Sequence, residues 1–504
     1  MRLWRGNGGV AGCGAVGGGT WGMGWHTFPR LMTCSTVRPG PFARSAGRVA
    51  ERLAPGRLIH VPGAPVANLS DDPMHRIGPS RAVACPVGAG AGDGKRWTAD
   101  PLTANLFHMT HDYSIEGAAP EWPTGFRAYT GHGGLRDQGD DVSIVASDRP
   151  AVSAAMFTKS LFAGPAVVLS RAHAAEQRLR AVVTLAQNAN VATGRQGAEH
   201  AAEVVGRVAG ILGLAADEVL IGSTGVIGRP LPMDTIRAHF DGAARRGPDA
   251  FTAAPLDVAW AMMTTDTRPK TAVRTVGAAR LVGVAKGVGM LEPNMATMLA
   301  YVVTDAELAA ADLDRALRTA VDATFNCLSV DTDTSTSDTV AVLANGAAGP
   351  VDPAEFAAAL ADLCLDLTRQ LASDGEGATK LLRVTVTEAR DAAQAKRIAK
   401  SVVNSPLVKT AVYGADPNWG RVLMAVGKNT DDRDIAPHRV TVAFGGTEVY
   451  PTEPTPELLA DLTAALRRSE VDLAVTLGIG DGAATVFGCD LSPGYVRINA
   501  DYTT

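Results

Sequence analysis

From about Gly125 onward, short Val-rich runs that stop at glycine or small polar residues are interspersed with stretches of helical period, and no regular β-α-β-α rhythm joins them. DDVSIVASD alternates at Val142, Ile144 and Ala146, which predicts a half-buried strand. AVVLS (166–170) and AVVTLAQNA (181–189) read as further strands. Val219-Leu220-Ile221 is a buried-type strand that runs into Gly222-Ser223-Thr224-Gly225. Segments 273–276 and 279–284 form a strand pair, LLRVTVTEA another strand, and HRVTVAFGGTEVY a hairpin turning at Gly445-Gly446. The C-terminal stretch through Tyr495-Val496-Arg497-Ile498 reads as alternating strand and turn. Helical period marks AEHAAEVVGRVAGILGL. It also marks the run Phe356, Leu360, Leu363, Leu367, Leu371, where Asp352 serves as N-cap, Pro353 as N1 and Glu355 as N3. The segment up to about Val412 is mostly helical, and Thr455-Pro456 opens one more helix. A doubly wound sheet needs a helix crossover after each strand. This order instead favours an α+β layered sandwich. No repeat of 20–50 residues is present.

The N-terminal region has a different character. Residues 1–50 contain 12 Gly and no acidic residue, and residues 1–108 carry 12 Lys and Arg against 5 Asp and Glu. Gly and Pro break every period there. We read 1–108 as a poorly structured leader or an extension upstream of a start at Met109, and expect its deletion to leave activity intact. The whole-chain charge of −5 gives no footing for nucleic acid or a membrane surface, and six cysteines without a CxxC pair exclude a disulfide framework or a zinc site. The expected location is the cytoplasm.

Most motif searches fail. Gly283 to Gly289 is glycine-rich without the GxGxxG order, and Gly375-Glu376-Gly377-Ala378-Thr379-Lys380 lacks the Gly-Lys-Ser/Thr ending of a P-loop. Asp331-Thr332-Asp333 begins like a calcium loop, but Thr336 stands where the turn glycine belongs and Val342 where the bidentate Glu belongs. HExxH and GxSxG are absent. No histidine occurs between His239 and His438, so a His-dependent nucleophile in the second half would need a distant partner. Cys327, Cys364 and Cys489 read as buried apolar residues.

The sharpest cluster is KGVGMLEPNMATML, residues 286–299: a loop, then the strand that begins around Thr297. By itself Thr297 reads as a strand-initiating threonine. A threonine can also act as a nucleophile without histidine when its own α-amine is the base. That amine exists only once the Ala296–Thr297 peptide is cut, and its ordinary pKa of about 7.7–8.0 leaves much of it neutral near physiological pH.

These residues resemble the processing site of ornithine acetyltransferases, the glutamate N-acetyltransferases of cyclic arginine biosynthesis, the arginine biosynthesis bifunctional protein type. The resemblance continues through MTTDTRP, FNCLSVDTDTSTSD, SDGEGATK, VVNSPLVKTAVYGADPNWGRV and YVRINADYTT, over about residues 120–504. PTGFRAYTGHGGLRDQGDDVSIV is also similar to the homologue of clavulanic-acid-type antibiotic clusters. The resemblance implies a layered α/β/β/α sandwich of the N-terminal-nucleophile type. It implies self-cleavage before Thr297 into an α chain (109–296) and a β chain (297–504), an α2β2 assembly, and ping-pong transfer of acetyl from N2-acetylornithine to glutamate through Thr297 Oγ. It implies no cofactor and no metal, and leaves open whether acetyl-CoA is a further acetyl donor. Residue by residue, Thr224 and Gly225 take the oxyanion-hole positions. Thr264, Lys286, Thr297, Glu376, Asn499 and Thr504 take the substrate-binding positions. Lys286 would pair with an amino-acid carboxylate and Glu376 with the cationic end of ornithine. Thr265 competes with Thr264 for its position.

Two alternatives stay open on the residues alone. An N-terminal-nucleophile aminopeptidase or amidase would hand the acyl group to water, and an unprocessed homologue would only bind or assemble. An acetyltransferase paralogue of an antibiotic pathway is a variant of the first reading.

Overall fold

The computed structural model describes residues 120–292, 298–452 and 454–501. The leader, the Ala296–Thr297 bond and Thr504 lie outside the described residues.

The first sheet has the order β1-β2-β4-β5, from β1 (Phe126–Gly131), β2 (Val142–Ser147), β4 (Ala181–Leu185) and β5 (Val219–Ser223). Only β4 and β5 are parallel. The second sheet has the order β3-β9-β8-β7-β6. It is built from β3 (Val152–Phe157), β6 (Lys270–Val276), β7 (Ala279–Lys286), β8 (Leu299–Glu307) and β9 (Thr339–Pro350), with β8 and β9 parallel.

Period-two alternation sorts the side chains of these strands into three cores. Ile144, Val183, Leu185 and Ile221 of the first sheet pack outward on Val204, Val205 and Val208 of α2 (Gly194–Leu212) and on Ile236 and Phe240 of α3 (Met233–Arg246). Their alternates Val145, Val182 and Leu220 meet Val282, Val284, Leu299, Tyr301 and Val303 of the second sheet, with Val258 and Met262 of α4 (Pro255–Met262) in the same core. Leu281, Ala300, Val302, Val340 and Val342 then face the helices α5 (Ala310–Ala323) and α6 (Pro353–Ser373). The layers are therefore helix, sheet, sheet, helix, the sandwich that the resemblance implied. Asp352 caps α6 as read, its carboxylate accepting from the N–H groups of Ala354 and Glu355.

A third sheet stands beside the sandwich, in the order β12-β11-β13-β10-β14: β10 (Leu381–Ala389), β11 (Thr441–Phe444), β12 (Thr447–Tyr450), β13 (Glu470–Thr476) and β14 (Gly482–Cys489). One face buries Leu382, Val384, Val386 and Leu473 against Ile398 and Val402 of α7 (Ala392–Val403) and Val422 of α9 (Trp419–Gly427), which follows α8 (Pro406–Tyr413). The other face is polar and half-buried, with the hydroxyls of Thr385 and Thr485 3.0 Å apart. The Gly445-Gly446 turn has φ of +55° and +84° and joins β11 to β12 as expected. Thr455 caps α10 (Pro456–Ala465).

Three local readings are corrected. All six residues of VSIVAS are buried, not every second one, because the second sheet covers the face assigned to solvent. AVVLS lies in α1 (Pro165–Ala174), where Pro165 at the first helical position starts a helix that a Val-rich run by itself does not announce. Tyr495–Ile498 is helical, within α11 (Pro493–Asp501), again opened by a proline. Among the described residues, no helix is long and apolar enough to cross a membrane.

Candidate active site

The site forms where the ends of the two central sheets meet. β5 ends at Ser223 and delivers Thr224 and Gly225. β7 ends at Lys286, whose register partner is Leu299, the first residue of β8. The Lys286 ammonium spans the gap between sheets: it donates to Thr264 Oγ1 at 2.8 Å and to Thr224 Oγ1 at 3.3 Å. Lys286 is thus a buried strand-end cation, 6% exposed, and not a solvated loop lysine. Burial pushes its pKa down. Asp266 opposes that shift, and Lys270 reinforces it.

Thr224 and Gly225, the expected oxyanion-hole pair, differ in the donor each has left to offer. The Thr224 N–H is already committed to the Leu185 carbonyl at 3.1 Å, so its hydroxyl is the group left to donate. Lys286 occupies a lone pair of that hydroxyl, which leaves its hydrogen available. Among the described residues the Gly225 N–H has no acceptor. Gly225 has φ of +131°, and a Cβ there would run into the backbone of Gln187. Gly225→Ala is therefore expected to displace this N–H and lower transfer by about 100-fold or more. Steady-state kinetics on folded variant checks this.

Glu376 lies on the turn after α6. Its N–H is held by the Val288 carbonyl at 2.8 Å. One carboxylate oxygen accepts from Thr265 Oγ1 and the other from Asn499 Nδ2, each at 2.8 Å. A Cβ at Gly289 would strike this carboxylate and displace it from its two partners. The two threonines of MTTDTRP have different partners: Thr264 Oγ1 accepts from Lys286 and Thr265 Oγ1 donates to Glu376. Asn499 reaches the site from α11, so the C-terminal helix is docked on it. Thr297 and Thr504 lie outside the described residues. Met298, the covalent neighbour of Thr297, lines a cavity of about 30 Å³ together with Thr224, Lys286, Ser335, Ser337 and Asp338.

Beneath these side chains is a charged group that sequence reasoning missed. Lys270, fully buried, donates to Asp266 at 2.8 Å and to Asp374 at 2.7 Å. Asp266 also accepts from the Gly287 N–H at 2.8 Å and the Thr264 N–H at 3.1 Å, fixing the backbone beside both Lys286 and Thr264. Asp374 accepts from the Thr267 N–H at 3.1 Å and from its hydroxyl, two residues before Glu376. Burial alone would push the Asp266 carboxyl up, but the charges of Lys270 and Lys286 and these bonds hold it below the usual carboxylate range. The i,i+4 spacing of Asp266 and Lys270 was the available sequence signal. Asp338, buried at the pocket wall, was also missed.

Among the described residues no cluster of His, Cys, Asp and Glu could hold a metal ion. Burial raises the pKa of the Cys327, Cys364 and Cys489 thiols, Cys364 to about 12, so none is a ready thiolate. What the described groups offer is a buried cation and a hydroxyl at one small pocket, with the Gly225 N–H next in sequence to that hydroxyl and the Glu376 carboxylate near enough to act electrostatically on the cation. Such a set has the chemistry to bind a zwitterionic amino acid and to stabilise a developing alkoxide.

The ArgJ family profile matches residues 127–504. The chain belongs to the ArgJ family. It is 54% identical over 408 residues to glutamate N-acetyltransferase Oat2 of Streptomyces clavuligerus, a match covering 77% of this chain and all of the relative. It is 52% identical over 410 residues to the arginine biosynthesis bifunctional protein ArgJ of Rhodococcoides fascians, covering 80% of this chain and 99% of that one. Among solved structures, the ornithine acetyltransferase of Mycobacterium tuberculosis complexed with ornithine is 29% identical, covers 34% of this chain and 94% of its own, and has a TM-score of 0.30.

Proposed function

We infer that this ArgJ-family chain is an acetyltransferase that carries acetyl from N2-acetylornithine to L-glutamate, yielding ornithine and N-acetylglutamate, in arginine biosynthesis. The observation that carries this reading is the meeting of Thr224 and Thr264 at the Lys286 ammonium, with Glu376 near enough to act electrostatically on Lys286. Donor and acceptor are both α-amino acids, and the acetyl group leaves one α-nitrogen and joins another. One carboxylate partner, Lys286, therefore orients both substrates in turn, while Glu376 takes the side-chain ammonium of ornithine.

The nucleophile in this reading is Thr297, released by cleavage after Ala296. Its α-amine accepts the Oγ proton as the oxygen attacks the acetyl carbonyl. The resulting alkoxide is met by the Thr224 hydroxyl and the Gly225 N–H. Collapse expels ornithine, whose nitrogen takes the proton held by the α-amine, and leaves an acetyl ester on Oγ; the glutamate amine then attacks this ester, takes the acetyl group and gives up a proton that returns through the α-amine to Oγ. No cofactor enters these steps. We place the two chains in an α2β2 assembly and the reaction in the cytoplasm. Acetyl-CoA as an additional donor would make the enzyme bifunctional, as the name of the Rhodococcoides relative says of that protein.

The test is product analysis with purified protein. Ornithine and N-acetylglutamate should form in equal amounts, and glutamate should accelerate acetylornithine consumption. Glutamate-independent release of acetate would instead identify a hydrolase, and mass spectrometry should find a chain beginning at Thr297.

The cation at Lys286 also sets a pH dependence. Its charged form exists below its pKa, and burial lowers that pKa, so kcat/KM should fall on the alkaline side earlier than a free lysine near 10.4 would dictate. For this group folding stability moves the other way. The folded state binds fewer protons than the unfolded one between the two pKa values, so stability rises with pH there. An alkaline loss of activity without loss of melting temperature is thus the expected signature. Lys286→Met should raise KM about 10- to 100-fold.

A further inference from the structure

The chain approaches segment 293–297 through Glu292 and leaves it at Met298, and the approach is densely fastened. Asp331 gives its two carboxylate oxygens to consecutive amides, the N–H groups of Met290 and Leu291, each at 2.7 Å. The next N–H, of Glu292, goes to the Asp333 carbonyl at 3.0 Å, and Thr334 Oγ1 donates to the Glu292 carbonyl at 3.2 Å. The Glu292 carboxylate accepts from Ser329 Oγ at 2.9 Å and Asn404 Nδ2 at 2.5 Å, with Lys400 Nζ at 3.4 Å. Met290 has φ of +50°, a left-handed conformation that a side-chain-bearing residue holds only when its surroundings impose it. On the far side, the Met298 carbonyl accepts from the Thr339 N–H at 2.9 Å. The run Asp331-Thr332-Asp333, which began like a calcium loop, thus gives its first carboxylate to backbone amides, and the transfer chemistry uses neither Asp331 nor Glu292.

We propose that Asp331 and Glu292 are positioning residues for self-cleavage, fixing the chain at 290–292 on its approach to the bond that Thr297 Oγ attacks. The inference rests on the reading of the chain as self-processing. In that step Oγ bonds to the carbonyl carbon, the C–N bond breaks, and the hydroxyl proton ends on the released nitrogen. Water then adds hydroxide to the acyl carbon and returns a proton to Oγ. Fixing both ends of a short segment removes in advance much of the entropy that an attack between adjacent residues has to give up. The groups that bond 290–292 and the Glu292 carboxylate all follow Thr297 in sequence, so the same bonds join the two chains after the cut.

The test follows cleavage of the full-length purified precursor over time by denaturing gel, beside thermal melts. Asp331→Asn leaves one acceptor for two amides and turns an NH2 group toward the other. Glu292→Gln keeps the shape and loses the charge. Each folded variant should accumulate uncut chain and convert about tenfold or more slowly than wild type. Transfer per cut chain should stay at the wild-type level, a pattern that a general loosening of the fold does not produce. A folded variant that converts as fast as wild type overturns the proposal, including one that only melts lower. Should Asp331→Asn fail to fold, Glu292→Gln decides. A wild-type chain that is never cut removes the processing reading and the clamp together, whereas fast cleavage in the variants removes the clamp alone.

Discussion

Replacing Thr297 with alanine is expected to give one uncut polypeptide with no acetyl transfer. The substitution removes the hydroxyl that attacks in both reactions and, because no cleavage follows, the α-amine that would serve as base. Loss of a nucleophile that works as a unit with its base costs on the order of 10⁴-fold or more. The described surroundings offer no substitute: the three described thiols are buried with raised pKa values, and no histidine falls between His239 and His438. A denaturing gel and N-acetylglutamate formation measure the two losses independently. A cut or active Thr297→Ala protein would overturn the assignment of the nucleophile.

Lys270→Met should produce the largest loss of stability of any single change near the site. It leaves the buried Asp266 and Asp374 carboxylates without the cation they share, a type of change that costs about 3–5 kcal/mol. The wild-type dependence on pH follows from Asp266. Its folded pKa is depressed, so its contribution is fully present above the unfolded value near 4 and is lost as pH falls through the lower folded value. Without Lys270 the two carboxylates repel and desolvate each other as anions. The variant should therefore recover part of its deficit on mild acidification, where wild type gains nothing from this group. Thermal melts of both proteins at pH 5 and pH 8 check the sign. Because Asp266 fixes the amides of Thr264 and Gly287, the residual folded protein should also bind substrate more weakly.

The elements easiest to read in the sequence were those whose local chemistry and tertiary fate agree. Asp352-Pro353 capped α6 as its spelling requires, and Gly445-Gly446 turned a hairpin because both residues need positive φ. AVVLS and Tyr495–Ile498 misled because a short apolar or alternating run fits a helix as well as a strand, and only a proline at the first helical position separated them. At the site, the resemblance pointed to Thr224, Gly225, Thr264, Lys286, Glu376 and Asn499, which the fold supplies from two sheet ends, a loop, the turn after α6 and α11. The linear order was silent on which threonine of Met-Thr-Thr-Asp serves which partner, and on Lys270 joining two aspartates 108 positions apart.

The sequence by itself determined most of the elements and the layered class, since these depend on residue type and short-range spacing, and its resemblance to a family supplied the candidate reactive groups. Only the tertiary structure decided that Lys286 is a desolvated cation, that Glu376 is held from two sides, and that the Asp331 carboxylate serves backbone amides. Each of these depends on which distant segments approach within hydrogen-bonding distance and exclude water, a property of packing that no local pattern encodes.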